Sequence, residues 1–259
     1  MTMNTPAKVN AWYGWLPDRP DQRDRLYAAI ARPPRRLPRA VDLRALCSRI
    51  EDQKALGSCT ANALVGNLEF LEQKAGRSAI DLSRLFVYYN ERVLEGTVNE
   101  DAGAFLRDGI KTLVKEGVCP EKQWPYLITR FNVKPSAACY RHALDHQVLS
   151  YNRVLTLNEM KMCLAEGFPF VFGFTVYKSF ESRRVARTGQ LDMPKPTEGV
   201  VGGHAVMAAG YDDATRRFMV RNSWGTDWGL KGYYTMPYRY LADRNLSDDF
   251  WTIRAFADD

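Results

Sequence analysis

Residues 202–225 read GGHAVMAAGYDDATRRFMVRNSWG. Two apolar runs, Ala205 to Tyr211 and Arg217 to Asn222, flank the turn residues Asp212 and Asp213. Apolar strand patterns on either side of a short polar segment are the signature of a hairpin. A hairpin centred on Asp213 sets position 204 opposite position 222. His204 is one of three histidines in the chain. It heads a strand of small apolar residues, where a buried imidazole needs a hydrogen-bonding partner. Asn222 can be that partner. An amide oxygen that accepts one ring N–H fixes the tautomer and leaves the other nitrogen as a base. A core histidine satisfied by a neighbouring amide has the same pattern, and the pair alone leaves both readings open.

Outward from this segment, strands are expected over Phe170 to Tyr177 (FVFGFTVY) and Gly232 to Met236. The first half of the chain has helical periodicity instead. Ala61, Leu64, Val65, Leu68 and Leu71 recur at three- and four-residue spacing between Ser58 and Gly76. Helices are also expected over 83–95 and 103–116. Thr156-Leu157-Asn158-Glu159 has the form of a capping box opening a helix that runs to Gly167. Helices followed by strands predict an α+β fold of two lobes.

Cys59 opens the first of these helices. The free N–H groups and positive dipole end of a helix favour thiolate over thiol. A lone cysteine is also an ordinary small buried side chain, so its company matters. Gln53 lies six positions before it, Gly202-Gly203-His204 follows later, and Asn222-Ser223-Trp224-Gly225 later still. In this order the blocks resemble the papain-like cysteine peptidase family. Val41-Asp42-Leu43-Arg44, Trp124-Pro125-Tyr126 and Trp228-Gly229-Leu230-Lys231-Gly232-Tyr233 extend the resemblance from about Val41 to the C-terminus.

The resemblance implies a papain-like two-lobed fold, a helical lobe and a β-barrel-like lobe with the active site in the cleft between them. It implies that Cys59 is the nucleophile, His204 its base and later acid, and Asn222 the orienting group. Gln53 and the Cys59 N–H form the oxyanion hole, and Trp224 shields the His204–Asn222 bond. By the same alignment Gly103 pairs with extended substrate backbone. Phe105, Gly173 and Ala205 line the pocket for the second residue before the cut, where an apolar side chain is expected. The sequence also departs from the family pattern. Leu56 and the stretch Glu100-Asp101-Ala102-Gly103 stand where many relatives carry a disulfide pair, and Thr60 replaces an aromatic after the nucleophile. This resembles a bacterial-type branch without the secreted disulfide framework.

The chain of 259 residues has 36 Lys and Arg against 30 Asp and Glu, a formal charge of +6. Residues 1–40 hold eight of the basic residues and three aspartates, a net +5, so the remainder is nearly neutral. That distribution argues against an extended phosphate-binding face and a specific nucleic-acid partner. Prolines 17, 20, 33, 34 and 38 forbid a long helix in the basic segment, leaving room for one short helix near 21–31. Its aromatics Trp12, Tyr13 and Trp15 are unfavourable to leave in water. Residues 1–37 are therefore read as a pro-segment-like leader that lies partly across the cleft, anchored by Trp12 to Trp15. A flexible basic tail is the alternative. The helical lobe is assigned to 38–147 and the β-rich lobe to 148–259.

No secretory signal or membrane-spanning run is visible, and five cysteines do not make a disulfide scaffold. A cytoplasmic monomer acting on peptides or proteins is expected, with export by another route left open. No cofactor and no metal are expected. Cys139, His142 and His146 could share a helical face, but no fourth ligand is apparent. The function expected is thiol-dependent hydrolysis of peptide bonds. The alternatives are another thiol acyl transfer (an amidase or transamidase) on the same fold, or a non-catalytic binding module.

Overall fold

The structure, a computed structural model, describes residues 13–32 and 34–255. In chain order its elements are β1 (Trp15–Leu16), β2 (Ala40–Asp42), α1 (Cys59–Lys74), α2 (Arg84–Glu95), β3 (Ala104–Phe105) and α3 (Leu106–Lys115). There follow α4 (Ala137–Ala143), β4 (Ser150–Arg153), α5 (Leu157–Ala165), β5 (Phe170–Tyr177) and α6 (Arg183–Thr188). The chain ends with β6 (Val200–Asp212), β7 (Arg217–Arg221), β8 (Tyr233–Pro237), α7 (Tyr238–Ala242) and β9 (Ser247–Arg254). Short 3-10 turns lie between them, including Tyr27–Ala29 within the Pro-rich leader.

Local chemistry explains the helix ends. The Ser83 hydroxyl accepts the Phe86 N–H at 3.1 Å and starts α2. The Thr156 hydroxyl accepts the Glu159 N–H at 3.2 Å, while the Glu159 carboxylate turns back to the Leu155 N–H at 2.8 Å. The third expected helix begins later than its periodicity predicts. Gly103 has φ of +75° and stays outside it, Ala104–Phe105 is a strand, and α3 starts at Leu106.

Helix α1 is not half-exposed, as a single apolar stripe would suggest. Every residue from Cys59 to Glu72 is buried. The helix packs against α2 and α3 on one side and against β5, β6 and β9 on the other. Several of its polar residues are paired: Thr60 donates to Glu91 at 2.9 Å and Asn62 to the Ser58 carbonyl at 2.9 Å. Glu69 receives both terminal nitrogens of Arg84, at 3.0 and 2.6 Å, and the Leu82 N–H at 2.9 Å.

The main sheet has seven strands in the order β4-β9-β5-β6-β7-β8, with β2 also paired to β6. All these pairs are antiparallel. Strand β5 is central and nearly all buried, which explains its unbroken apolar run. The hairpin of β6 and β7 forms, but not in the register expected. Met207 faces Arg221, and a bulge between Ala208 and Gly210 shifts the later pairs to Tyr211 with Phe218. Its centre lies beyond Asp213, and His204 sits opposite Phe174 of β5. β1 pairs in parallel with β3, so the leader joins the helical half by main-chain bonds.

Among the described residues no helix is long and apolar enough to cross a membrane. All five cysteines are free.

Candidate active site

Cys59 occupies the first position of α1 and is fully buried. Burial is the main influence on its thiol and pushes its pKa up to about 11. The backbone N–H groups of Ala205, Gly14 and Thr60 oppose that rise. The Ala205 contact brings the residue after His204 against the sulfur, so α1 and β6 meet here. Ser58, just before the thiol, is not a side-chain cap. Its hydroxyl shares a hydrogen of 2.5 Å with the Tyr126 phenol and accepts the Asn62 amide at 3.1 Å.

His204 is fully buried and its Nε2 lies 2.8 Å from Asn222 Oδ1. The same oxygen accepts the Ser223 N–H at 2.9 Å. An oxygen that accepts requires the proton on Nε2, which makes Nδ1 the basic nitrogen. The contact forms although the strand register differs from the symmetric hairpin, because Asn222 lies past the end of β7 and its N–H bonds the Gly232 carbonyl at 2.9 Å.

Trp224 lies over the imidazole, ring centres 5.2 Å apart and planes 30° apart. Phe174 and Phe180 also pack on the imidazole, at 5.8 and 6.2 Å. Both His204 and Asn222 are buried. The two phenylalanines carry no motif, and only the fold, through β5 and the 3-10 turn Lys178–Glu181, brings them to the site. Gln53 is buried, donating its Nε2 to the Leu56 carbonyl at 3.0 Å. Its Oε1 accepts the Ser223 hydroxyl at 2.6 Å, and its N–H bonds the Ser223 carbonyl at 2.9 Å. Ser223 thus holds both the amide of Gln53 and, through its own N–H, the oxygen of Asn222.

The leader crosses this centre. Tyr13 lays its ring edge on His204, centres 5.9 Å apart, and donates its hydroxyl to Glu181 at 2.7 Å. The Gly14 carbonyl accepts the Ala104 N–H at 2.7 Å. A Cβ on Gly103 would stand 2.2 Å from that Gly14 oxygen, so glycine is what lets the two backbones approach. The Trp15 indole lies on Gly173, where a Cβ would be 1.9 Å from the ring. Phe105 pairs with Leu16 and lines a cavity of about 320 Å³ together with Asp18, Glu95 and Arg107. Of the expected subsite residues, Gly103 and Gly173 therefore meet the leader, Ala205 meets the thiol, and Phe105 lies farther along β3. Trp12 falls outside the described residues.

Farther along, the leader is held by charge. Arg107 donates to Asp24 at 2.7 Å and to the Arg19 carbonyl at 2.6 Å. Arg153 donates to Asp24 at 3.1 Å and to Asp249 at 2.9 Å. The Trp251 indole and the Arg107 N–H both donate to Asp18, at 2.8 and 3.1 Å. Burial raises the pKa of Asp18, and burial together with Asp18 raises that of Asp249 to about 7.

Cys139 and His146 take other partners than each other. The Cys139 sulfur lies 3.3 Å from the Ser136 hydroxyl, and His146 Nδ1 lies 2.9 Å from Glu72. Among the described residues no group of three His, Cys, Asp or Glu side chains is placed to hold a metal.

A thiol at a helix N-terminus, an oriented histidine and a locked glutamine have a counterpart in known proteins. Residues 37–246 match the papain family cysteine protease (Peptidase_C1). The chain belongs to the papain family of cysteine proteases. It is 41% identical to a peptidase C1-like protein of Acanthamoeba polyphaga mimivirus, over 97% of this chain and 89% of that protein. Xylellain, a cysteine protease from Xylella fastidiosa, superposes with a TM-score of 0.88 at 42% identity, over 95% of this chain and 97% of that one. Cysteine proteinase 1 of Entamoeba histolytica is 29% identical over 77% of this chain, which spans 63% of that protein's length. The papain-like α+β fold and the assignment as a papain-like cysteine peptidase, a hydrolase of peptide or protein substrates, follow.

Proposed function

We propose that this papain-family protease cleaves peptide bonds through Cys59, His204 and Asn222, and that residues 1–37 restrain it by filling the cleft. Nδ1 of His204 takes the Cys59 proton, and the thiolate attacks the substrate carbonyl carbon. The carbonyl π pair moves to oxygen, which is met by Gln53 Nε2 and the Cys59 N–H. These donors act on charge present only near the transition state. Collapse of the tetrahedral species breaks the C–N bond, and the amine leaves with the proton from Nδ1. Water, deprotonated by the same nitrogen, then hydrolyses the thioester. Asn222 holds the imidazole so that Nδ1 stays the basic atom through both halves. The division into a leader (1–37), a helical lobe (38–147) and a β-rich lobe (148–259) is part of this proposal.

One observation carries the reading of restraint. Cys59 and His204 are both fully buried, and the leader is part of their cover, with the Tyr13 ring on the imidazole and the Gly14 N–H on the sulfur. The leader is also a poor substrate as it lies. The Gly14 N–H faces the sulfur, while its carbonyl is taken up by the Ala104 N–H.

The test is covalent labelling with an epoxide-type cysteine-peptidase inactivator, the adduct located by mass spectrometry. Labelling at Cys59, abolished in Cys59→Ala and slowed in His204→Ala, supports the mechanism. No adduct in either the full chain or a chain lacking residues 1–37 overturns it.

A further inference from the structure

Thr60 follows the nucleophile and stands where the family pattern places an aromatic. Its own N–H lies on the Cys59 sulfur. Its hydroxyl turns the other way and donates to Glu91 Oε2 of α2 at 2.9 Å. Glu91 is fully buried, and its other oxygen, Oε1, has no hydrogen-bond partner among the described residues. The room for that oxygen comes from α3. A Cβ on Gly109 would stand 2.3 Å from Oε1, and glycine is otherwise unfavourable inside a helix. An acidic side chain is thus seated behind the nucleophile. Neither the Cys59–His204–Asn222 chemistry nor the Glu69–Arg84 pair makes use of it.

Among the described residues no cation bonds this carboxyl. Arg92, next along α2, directs its guanidinium to the carbonyls of Tyr88, Val98, Glu100 and Phe131. The other charged groups that act on Glu91 are acidic, Glu95 on α2 and Asp108 on α3. Cys59 is the titratable group that faces it from α1. An ionised carboxylate with one bare oxygen in such a place is costly, and the neutral acid costs less. Burial first, and then Glu95, push the Glu91 pKa well above the usual carboxylate value. The sign matters for the reaction. A negative charge on Glu91 raises the pKa of Cys59. A neutral acid accepts the Thr60 hydroxyl without opposing the thiolate.

Resting on the peptidase reading above, we infer that Glu91, as an uncharged acid, is a positioning residue for the nucleophile. Through the Thr60 hydroxyl it fixes the first turn of α1. That turn carries the Thr60 N–H on the sulfur and the Cys59 N–H of the oxyanion hole. The prop stands behind the cleft, so it serves the enzyme whether the leader is docked or expelled. Gly109 belongs to it, because a side chain there would push the carboxyl away from its seat.

The test uses the full chain with the cleft opened by Gly14→Val, whose side chain has no room beside Gly57. Iodoacetamide alkylation, located at Cys59 by mass spectrometry, is followed against pH. Separately, kcat and KM are measured on a blocked fluorogenic peptide. Thr60→Val and Glu91→Leu keep the bulk and remove the bond. Both should slow alkylation at pH 7 by about 3-fold or more, the profile moving up by about half a pH unit. Both should lower kcat by about 5-fold or more with KM little changed. Thr60→Ser keeps the donor, and Glu91→Gln keeps an acceptor oxygen, so both should restore the parent profile and kcat. If either bond-removing variant fails to fold, as judged by its thermal transition, the other carries the test. Parent-like alkylation in a folded Thr60→Val or Glu91→Leu chain, with only the thermal midpoint lowered, makes the pair packing alone and overturns the inference. A profile moved to lower pH in Glu91→Gln shows that Glu91 carried charge, and overturns it as well. Shifted alkylation with no peptide cleaved by any of the chains sinks the peptidase reading and leaves Glu91 standing.

Discussion

Gly14 and Gly57 approach so closely that a Cβ built on Gly14 would stand 1.7 Å from the Gly57 carbonyl oxygen. Gly57 precedes the Ser58-Cys59 start of α1, and its own N–H is bound by Asp101 at 3.0 Å, so it cannot retreat freely. A side chain at position 14 and a docked leader are therefore incompatible. Gly14→Val should expel the leader from the cleft without shortening the chain. Epoxide labelling of Cys59 should quicken by about 10-fold or more, since each ~1.4 kcal/mol taken from docking is a factor of ten. An unchanged labelling rate, with the variant folded as judged by its thermal transition, removes the leader from the regulatory scheme.

The pH profile of the thiol should move with the leader. While the leader is docked, burial holds the Cys59 pKa up at about 11. A raised thiol pKa means less thiolate at neutral pH, so iodoacetamide alkylation of the parent chain should climb only on the alkaline side. Expulsion in Gly14→Val exposes the sulfur to water and to the His204 imidazolium. Alkylation should then already be strong at about pH 6 to 7. Identical profiles for the two chains would contradict the burial argument.

Ser223 should act on rate through Gln53. Removal of one oxyanion donor costs roughly 100- to 1000-fold in kcat, and Gln53→Ala in the leader-expelled background should fall in that range. Ser223→Ala leaves the amide in place but less firmly held, because the 2.6 Å bond to Oε1 is lost while the Leu56 bond remains. A fall of about 10-fold in kcat with KM little changed is expected, as for a lost transition-state contact. A fall in KM-dependent binding alone would assign Ser223 to packing.

The Glu69–Arg84 pair should dominate the stability of the helical half. Its 2.6 Å contact is almost wholly buried, the side chains 1% and 3% exposed. Removing Glu69 leaves the buried Arg84 with only the partly exposed Asp81 carboxylate at 3.1 Å and the Leu82 carbonyl. Glu69→Ala should therefore lose about 3–5 kcal/mol in denaturant unfolding. The exposed Arg23–Asp21 contact is a useful contrast, and Asp21→Asn should leave the unfolding midpoint nearly unchanged. Equal costs would show that burial does not govern these pairs.

Much of the helical half was legible in its residues. Apolar spacing, Ser83, the capping box at Thr156 and the glycines after the helices are local signals, because helix hydrogen bonds and caps join residues close in sequence. Strand β5 was legible for the same reason. Strand β9 was not. It opens with Ser247-Asp248-Asp249, which reads as a turn, and one of those aspartates holds a positive φ in the middle of the ladder. Its pairing with β5 shifts register between Val171 and Gly173. A strand that begins in polar residues and shifts register shows no period of two.

By itself the sequence determined the kind of protein. Cys59 at a helix start, Gln53 before it, and His204 and Asn222 in order are the residue types that the proposed chemistry needs. The sequence also placed the excess charge and the aromatics in the first 40 residues. The tertiary structure alone decided where those residues go. Trp15 meets Asp249 across a separation of 234 residues, and Asp24 meets both Arg107 and Arg153. Such contacts depend on which strands become neighbours and in which register, and no local periodicity encodes that choice. The reach of Asn222 to His204 shows the same limit. Its chemistry could be read from the chain, but the bulge at Ala208–Gly210 that sets the path between them exists only in the folded sheet.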